Sequence, residues 1–595
     1  METTTAMKLS CGASTIAEVG RTIEVNGWVN RRRDHGGLVF IDIRDRDGMT
    51  QVVFDPAVTT DFDLAHSLRH EDVIRVVGVL RRRPEGTENA KLATGEVELA
   101  AHALAVHSRA QTPPFQIASD EDVDESLRLK YRYLDLRRTR MQRNIAVRHK
   151  IIKAIRDYFD ERGFLEIETP HLIKSTPEGA RDYLVPSRLH QGAFYALPQS
   201  PQLLKQILMI SGFGRYMQIA RCFRDEDSRS DRQPEFTQLD VEMSFVSQEE
   251  VIDIMEGSIV HAWERALGIS VPRPFPRMRF EEAMRTYGSD KPDLRFGLEL
   301  GDVTDAFKGH EFKVFRSVAE SGDGAIYAVR YPGGAALSRR DFDALTETAK
   351  EFGASGMVWI ALAPDGAKSS IQKFLSQELI DRIAATVDAQ AGDAIVIVAD
   401  KVAAAQDVAG KLRLDIGERA GLRDPNVFKF AWVLDFPMFE LDPETQAPAS
   451  MHHPFTAPYP GQEDLFESDP LKVRAQHYDM ILNGWELGSG SIRIHNPQLQ
   501  RTVLRSLGLS DQEIDDRFGF FIEALDYGVP PHGGMALGLD RIVMIACGET
   551  SIRDVIAFPK NQNARDLMMD APSGIPPVLL RDLGLELKVK RPPAP

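Results

Sequence analysis

The stretch FRDEDSRSDRQPEFTQLDVEMSF (223–245) begins and ends like a strand, but charged and amide side chains fill the space between its two ends. Its second half alternates, because a strand places every second side chain on the same face. The polar face carries Phe236, Gln238, Asp240 and Glu242. Such a polar row with one aromatic ring, backed by an apolar row, is typical of the floor of a ligand site. The alternative interpretation is a solvated hairpin loop.

The strand before this loop, MQIARCFR, ends at Arg224. A guanidinium group offers a planar fork of donors that suits phosphate. The stretch is therefore either a site for a phosphate-containing ligand or a solvated loop, and the rest of the chain decides between the two interpretations.

The overall composition indicates a soluble protein of several domains. The chain has 595 residues, 43% of them hydrophobic and 27% charged, and a net charge of −16. No apolar run approaches the ~18 residues that cross a membrane, and the amino terminus does not read as an export signal. Three widely spaced cysteines favour a reducing cytoplasm. The net charge argues against non-specific coating of nucleic acid, but not against an RNA held by a local basic patch.

The first 110 residues read as five short strands separated by turns, which predicts a small closed β-barrel such as an OB-fold. Two arginine clusters, 31–33 and 81–83, lie beside strands, and Phe40 is close to the first. Basic groups interleaved with aromatic rings are typical of surfaces that bind single-stranded nucleic acid. A solvated barrel edge is the alternative.

Changes in composition along the sequence predict six segments. A linker or hinge follows the barrel, a large Gly- and Ala-rich α/β segment interrupts the region with polar clusters, and a Pro-rich extension ends the chain. The predicted boundaries are 1–110, 111–142, 143–291, 292–428 for the insertion, 429–560, and 561–595.

Further polar clusters lie outside the opening stretch. STPEGARD places Glu178 in a loop, and QSPQLLKQILM begins a helix that has Gln202 and Lys205 on one face. NGWELGSGSIRIHN reads as a hairpin with Glu486 on its first strand and Arg493 on its second. Taken alone, each of these clusters also fits an ordinary solvated surface.

HGGMALGLDRIVMIACG reads as a strand that runs into a helix, with Arg541 in the first turn. A cation at a helix N-terminus opposes the helix dipole. The position becomes favourable if an anionic ligand binds there, held by both the Arg and the backbone amides. An Arg that simply points to water is the alternative.

Taken together and in this order, these motifs resemble the three signature motifs of class II aminoacyl-tRNA synthetases. STPEGARD, QSPQLLKQ, HHPFTAP and ELGSGSIRIHN are similar to the bacterial-type aspartyl-tRNA synthetases, and the resemblance covers nearly the whole chain. It implies a multidomain α+β protein with an N-terminal OB-fold β-barrel, an antiparallel-sheet catalytic domain and an inserted α/β domain.

The resemblance implies that aspartate attacks the α-phosphate of ATP, and that tRNA then attacks the aspartyl-adenylate. The residues it assigns to aspartate are Glu178, Gln202, Lys205, Arg224, Gln238, Asp240, His452 and Arg493. Those it assigns to ATP are Arg224, Asp225, Glu226, Gln233, Phe236, Glu486, Gly538, Leu539, Asp540 and Arg541. Asp479 and Glu486 would hold Mg²⁺, which prefers oxygen ligands.

These assignments have a physical rationale. The substrate carboxylate is already a nucleophile, so the first step needs positioning and charge neutralisation rather than a general base. Arg493 and Lys205 suit the side-chain carboxylate of aspartate, with His452 as a further donor if it is protonated. Asparagine would leave a buried cation unpaired, and we expect the pocket to reject it.

For the barrel, the resemblance places Arg31, Arg32, Arg33, Phe40 and Gln51 on the surface that binds the anticodon. His35 and Gly86 resemble the pair found in relatives that charge both tRNA-Asp and tRNA-Asn. This pattern implies relaxed tRNA specificity and a separate amidotransferase that converts the second product. Strict specificity for tRNA-Asp is the alternative. The strand that ends at Pro170 resembles the class II dimer motif and implies a homodimer.

Three other functions remain as alternatives. An ammonia-dependent asparagine synthetase with this catalytic fold would have no use for a basic barrel. A non-catalytic RNA-binding paralogue would not need Arg224, Glu486 and Arg541 together. A synthetase for asparagine or lysine is disfavoured by the second carboxylate-binding cation, Arg493. The insertion suggests no chemistry of its own.

Overall fold

The computed structural model describes residues 6–119, 121–176, 180–227, 230–442, 445–462 and 464–588. The chain divides into two compact units: Met1–Ala146 with Arg553–Ser573, and Val147–Ile552 with Gly574–Pro595. Within the described ranges, no helix is long and apolar enough to cross a membrane. Glu178 lies outside the described residues.

The first unit contains the predicted barrel. Its elements are β1 (Met7–Lys8), β2 (Thr22–His35), β3 (Leu38–Arg44), β4 (Met49–Phe54), α1 (Phe62–His66), β5 (Val73–Arg82) and β6 (Val97–Ser108). The strand order is β1-β2-β3-β4-β6-β5, and β2 also pairs with β5, which closes the sheet. Alternation turns Val39, Ile41 and Ile43 into the core, where they are fully buried. The five long strands confirm the sequence-based expectation of a small barrel.

Three helices follow the barrel: α2 (Glu125–Lys130), α3 (Arg132–Asp135) and α4 (Thr139–Asp160). Glu71 in the barrel accepts hydrogen bonds from Arg44 at 2.8 Å and from Arg137, just after α3, at 3.0 Å. This buried carboxylate fixes the linker to the barrel. The long helix α4 begins at Thr139 and has 22 residues.

An eight-stranded sheet forms the centre of the second unit. The part of this unit that precedes the insertion contains β7 (Leu165–Glu166), β8 (Leu184–Pro186), β9 (Phe194–Ala196), α5 (Gln202–Ile210), β10 (Arg215–Phe223), β11 (Glu235–Ser244), α6 (Gln248–Leu267), β12 (Arg277–Arg279) and α7 (Phe280–Tyr287). Helix α6 begins with a capping box in which Ser247 and Glu250 satisfy each other's backbone amides.

The insertion folds around its own antiparallel sheet. Its elements are β13 (Gly301–Asp302), α8 (Lys313–Ala319), β14 (Gly324–Tyr331), α9 (Arg339–Glu351), β15 (Val358–Ala363), β16 (Gly366–Ser369), α10 (Gln377–Thr386), β17 (Ala394–Lys401) and α11 (Val402–Arg419). The strand order is β13-β14-β17-β15-β16. Separate hydrophobic clusters form around this sheet, so the insertion has its own core.

The chain then returns to the large sheet. The remaining elements are β18 (Phe430–Leu434), β19 (Phe439–Leu441), β20 (Pro448–Ser450), α12 (Leu465–Ser468), β21 (His477–Leu482), β22 (Trp485–Ile492), α13 (Pro497–Ser506), α14 (Asp511–Leu525), β23 (His532–Gly538), α15 (Leu539–Cys547) and α16 (Pro577–Asp582). The strand order is β12-β18-β21-β22-β23-β11-β10-β7. Strand β11 therefore pairs with β23, which joins the halves on either side of the insertion into one sheet.

The predicted hairpin within NGWELGSGSIRIHN is wrong. Asn483 and Gly484 both have positive φ and form the turn between β21 and β22, so Glu486 and Arg493 lie on and just after one strand. Gly488 and Gly490 do not make a turn. A Cβ at either position would lie within 2.4 Å of a β23 backbone oxygen, so these glycines permit close strand pairing.

Candidate active site

A cavity of about 460 Å³ opens over the large sheet of the second unit. Residues from both halves of the chain line it. The predicted residues among them are Gln202, Lys205, Arg224, Glu226, Gln233, Phe236, Gln238, Asp240, His452, Glu486, Arg493, Gly538, Asp540 and Arg541. Asp225, Leu539 and Asp479 are not among the lining residues.

Four buried charges form a network at the floor of this cavity. Lys205 Nζ lies 2.7 Å from Asp240 and 3.3 Å from Glu242, and Arg493 Nε donates to Glu242 at 2.9 Å. Arg493 Nη2 reaches the second carboxylate oxygen of Glu242 at 3.1 Å. All four side chains are at most 1% exposed. Two cations and two carboxylates balance, so the network is neutral before any ligand enters.

The two carboxylates respond to burial differently. Burial raises the pKa of Asp240, because Lys205 compensates it only in part. Burial also acts to raise the pKa of Glu242, but Arg493 and Lys205 outweigh it and hold that pKa below its ordinary value. Glu242 is therefore the firmly ionised member of the pair.

Two more groups fix the guanidinium of Arg493. Its Nη1 donates to Ser491 Oγ and to His453 Nε2, both at 2.7 Å. Sequence reasoning did not assign Glu242, His453 or Ser491 to the site. Glu242 was detectable, since it follows Asp240 by two positions on the same strand face. The positions of the other two depend on tertiary packing.

His452 lines the same cavity beside a second imidazole. Its ring stacks on that of His477, with centroids 3.4 Å apart and planes 9° from parallel. Burial, and then His477, lower the pKa of His452 well below 6.5. The protonated form considered from the sequence is therefore disfavoured, and His452 offers a single N–H at neutral pH.

Arg224 and Phe236 also line the cavity. The Arg224 guanidinium carbon lies 5.1 Å from the centre of the Phe236 ring, and its Nε has no hydrogen-bond partner among the described residues. Gln238 accepts a hydrogen bond from Cys222 Sγ at 3.2 Å, which orients its amide. A cation and an aromatic ring therefore lie together in the lining of the cavity.

The expected strand-to-helix junction brings Gly538 and Arg541 to the cavity. Asp540 accepts from Arg148 Nη1 at 2.5 Å and from the Thr237 backbone N–H at 2.8 Å. Arg541 donates to the Glu486 backbone oxygen and, at 3.1 Å, to Asp231. In this geometry Asp540 fixes the helix end to β11, whereas Arg541 extends along the cavity.

Glu486 and Asp479 lie on neighbouring strands. Burial, and then Asp479, raise the pKa of Glu486 to about 7. Burial, and then Asp290, raise the pKa of Asp479 well above its ordinary value. A bound cation would relieve this repulsion, and one or two carboxylates are a common Mg²⁺ ligand set when phosphates supply the rest. The described residues contain no group of three or more His, Cys, Asp or Glu able to hold a metal.

In the first unit, polar side chains cross the outer face of the barrel in a row. The strand registers place Arg31 opposite Asp42, Asp42 opposite Gln51, and Arg81 opposite Glu98. Gln51 Nε2 donates to Glu98 at 3.0 Å. We call this set, with the Arg33–Phe40 pair two positions further along β2 and β3, the barrel face. It brings together Arg31, Arg33, Phe40 and Gln51 as predicted.

The other barrel residues are placed differently. Arg32 points away from the barrel face, donating to Asp34 at 2.7 Å and to the Leu68 carbonyl at 3.3 Å. His35 is exposed at the end of β2. Gly86 is exposed with φ +81°, a conformation that favours glycine, and its N–H donates to Glu88.

Comparisons with known proteins agree with this architecture. The model for class II tRNA synthetases (D, K and N) matches residues 124–562, and that for the OB-fold nucleic acid binding domain matches residues 23–106. The chain belongs to the class II tRNA synthetases.

Its relatives narrow the class. An aspartate–tRNA(Asp/Asn) ligase from Thermoanaerobacter pseudethanolicus is 51% identical over 97% of this chain and 98% of its own length. An aspartate–tRNA ligase from Bacillus licheniformis is 50% identical, covering 98% of each chain. Within the class, the chain falls in the aspartate–tRNA ligase family, which confirms the family expected from its motifs.

A solved structure shares the fold. Asparaginyl-tRNA synthetase from Pyrococcus horikoshii, complexed with asparaginyl-adenylate, superposes with a TM-score of 0.59 at 18% identity, covering 93% of this chain and 98% of its own. At this identity the likeness concerns the fold alone.

Proposed function

We propose that the protein activates L-aspartate with ATP and transfers it to tRNA-Asp and to tRNA-Asn. The observation that carries the amino-acid assignment is the buried network of Lys205, Asp240, Glu242 and Arg493 under the cavity. The side-chain carboxylate of the aspartate substrate binds the two cations, Lys205 and Arg493, and Asp240 faces the substrate ammonium. Asparagine offers no charge there, so the two cations bind it more weakly than they bind a carboxylate.

ATP occupies the side of the cavity formed by Phe236, Arg224 and Arg541. Phe236 stacks under adenine, Arg224 neutralises the α-phosphate and Arg541 holds the distal phosphates. Glu226, Gln233 and the backbone around Gly538 complete the nucleotide contacts. The aspartate carboxylate attacks the α-phosphorus, the bond to the pyrophosphate oxygen breaks, and pyrophosphate leaves with the electron pair.

Glu486 and Asp479 would hold Mg²⁺. The raised pKa of each buried carboxylate fits residues that would hold a cation. When bound, Mg²⁺ neutralises charge on the phosphates and on the departing pyrophosphate. The side chains of this protein supply the positioning.

The barrel binds the anticodon through the barrel face, with Phe40 stacking a splayed base. His35 and Gly86 leave the third anticodon position weakly selected, which accounts for loading of both tRNAs. Several relatives that are about half identical to this chain, such as the T. pseudethanolicus ligase, are named for both tRNAs, which supports this relaxed specificity. Aspartyl-tRNA-Asn then requires a separate amidotransferase.

The protein acts in the cytoplasm as a homodimer. Large apolar side chains remain exposed near the edge strand β7, including Leu165 at 50%, Leu172 at 52% and Phe213 at 47%. A second copy of the chain would cover them. Sedimentation as a concentration-independent species of 66.5 kDa would contradict the dimer.

The test is ATP–pyrophosphate exchange with aspartate, asparagine and lysine in parallel. We expect exchange with aspartate alone. Exchange that depends on asparagine or lysine would assign another synthetase, and no exchange with any of the three would favour the non-catalytic paralogue. An ammonia-dependent asparagine synthetase would release asparagine without tRNA.

A further inference from the structure

His477 is a buried imidazole next to the cavity that none of the roles above uses. It is 0% exposed, is not a lining residue and lies on β21 two positions before Asp479. Because side chains two apart share a strand face, His477 and Asp479 point the same way. Because His477 is not a lining residue, its ring lies behind the cavity wall.

The edge of the His477 ring holds a carboxylate. Its Nε2 lies 2.8 Å from Asp479 Oδ1, and when Asp479 is ionised, as a bound cation would require, Nε2 carries the hydrogen and donates it. Nδ1 is then an acceptor, and it has no partner among the described residues. With a single hydrogen bond at its edge, the ring restricts which way the Asp479 carboxylate faces.

The face of the same ring supports another site residue. His452, which lines the cavity, stacks on His477 at 3.4 Å, and Phe436 meets both rings edge-on at 4.9 and 5.0 Å. His452 Nε2 is buried and has no hydrogen-bond partner among the described residues. Stacking and the Phe436 edge, rather than hydrogen bonds at Nε2, hold this imidazole.

We propose that His477 is a positioning residue that orients His452 on the amino-acid side of the cavity through its ring face and Asp479 on the cation side through its Nε2–H. The inference rests on the proposed function, since it takes the roles of His452 and Asp479 from it. Partners that orient metal ligands commonly change metal affinity by about 10–100-fold when they are lost. Aromatic stacking contributes less.

Two substitutions separate the two contacts. His477→Phe keeps a ring against His452 but removes the donor to Asp479. His477→Gln removes the ring but places an amide N–H close to the position of Nε2. The same changes at His149, which is exposed on α4, serve as matched controls.

The measurement is calorimetric titration, with aspartate alone and with ATP in the absence and presence of MgCl₂. We expect His477→Phe to bind aspartate normally. The factor by which Mg²⁺ increases its affinity for ATP should be about tenfold smaller than in the unmodified protein. We expect His477→Gln to keep that gain and to bind aspartate about fivefold more weakly. If His477 had only a structural role, weaker aspartate binding and the smaller effect of Mg²⁺ on ATP affinity would not be separated between the two variants.

Either equal losses of both properties in the two variants, or no loss in either, would overturn the assignment of His477. The wild-type titrations test the proposed function separately, because that function fails if the unmodified protein binds neither aspartate nor ATP. If His477→Phe does not fold, His477→Gln still decides: weaker aspartate binding with the Mg²⁺ gain intact supports the assignment, and any other pattern contradicts it.

Discussion

The floor of the catalytic cavity and the barrel face both use arginine paired with carboxylates, but in different surroundings. Arg493 is 1% exposed and uses its Nε, Nη1 and Nη2 atoms to bind Glu242, Ser491 and His453. Arg33 on the barrel face is 43% exposed and pairs with Asp42 near solvent. Buried pairs are costly to break, whereas exposed pairs contribute little.

This difference matches the two kinds of selectivity in the proposed function. A buried, pre-paired network admits one charge pattern and excludes close analogues, so amino-acid selection is strict. An exposed face of solvated cations binds RNA mainly through charge and stacking, so single contacts there discriminate weakly. The variants below test whether that contrast holds.

Arg493→Leu should produce the largest effect. It leaves Glu242 buried without its bidentate partner, which we expect to cost about 3–5 kcal/mol in the free energy of unfolding. Aspartate-dependent pyrophosphate exchange should fall by at least about a thousandfold, roughly 4 kcal/mol. ATP binding, measured by calorimetry, should persist.

The double variant Arg493→Leu/Glu242→Leu separates folding from binding. It removes both charges and leaves the Lys205–Asp240 pair in place. We expect most of the lost stability to return while aspartate activation stays absent. Recovery of activation in the double variant would show that Arg493 serves the fold and not the substrate.

Arg541→Ala should affect ATP rather than aspartate. The side chain extends along the cavity to Asp231 and the Glu486 carbonyl, and loss of a charge-assisted contact costs about 1.5–3 kcal/mol. We expect the KM for ATP to rise by at least tenfold with the KM for aspartate unchanged. Arg505→Ala, which removes an exposed arginine from α13, is the matched control. A change confined to the aspartate constant would refute this role.

Mild acid should weaken the protein through its buried imidazoles. Burial, and then Arg493, hold the pKa of His453 well below its ordinary value of 6.5. Because the folded-state pKa is depressed, the stabilisation is present above pH 6.5 and is lost as the pH falls and the unfolded chain binds the proton first. Each such group contributes a slope of up to about 1.4 kcal/mol per pH unit.

Urea unfolding between pH 7 and pH 5 measures this slope. His453→Gln should reduce the slope by the contribution of one proton, up to about 1.4 kcal/mol per pH unit. His149→Gln should leave the slope unchanged. An identical slope in all three proteins would mean that His453 is not held neutral in the folded state.

Arg33→Ala should have the smallest effect. Its ion pair with Asp42 is partly exposed, so the free energy of unfolding should change by no more than about 1 kcal/mol. Affinity for tRNA should fall modestly, and the salt dependence of binding should weaken by about one phosphate contact. Asp42→Asn, which removes the partner but not the cation, should leave that salt dependence intact. A loss of amino-acid activation in Arg33→Ala would break the contrast between the two regions.

Local sequence patterns predicted much of this structure. The alternation in EFTQLDVEM gave the polar face of β11, and Gly538 before Arg541 marked the start of α15. The hairpin turn was placed wrongly within NGWELGSGSIRIHN because glycines that mark a turn and glycines that allow close strand pairing look alike in one sequence. Asn483–Gly484 is the turn, while Gly488 faces the β23 backbone.

The partners of the site residues were harder to predict than the residues themselves. Arg493 meets Glu242 across 251 positions of chain, and His477 meets His452 through a ring stack that has no local signature. Such pairings depend on which strands become neighbours. Motifs identify the groups that carry chemistry, whereas the fold determines which groups orient them.

Gly86 shows a second limit. Its φ of +81° suits glycine for backbone reasons, so its presence also follows from the turn and not only from tRNA selection. A side chain introduced there would strain the loop as well as alter any contact with RNA. Substitution at Gly86 is therefore a poor test of tRNA specificity, and that specificity is better measured on the unmodified protein.

The most direct test is aminoacylation of tRNA-Asp and tRNA-Asn transcripts side by side, with aspartate and at one salt concentration. With a strict pocket and a permissive barrel, we predict kcat/KM values for the two tRNAs within about tenfold, roughly 1.4 kcal/mol. A preference for tRNA-Asp of a thousandfold or more, roughly 4 kcal/mol, would contradict the permissive barrel and leave only the aspartate-specific pocket standing.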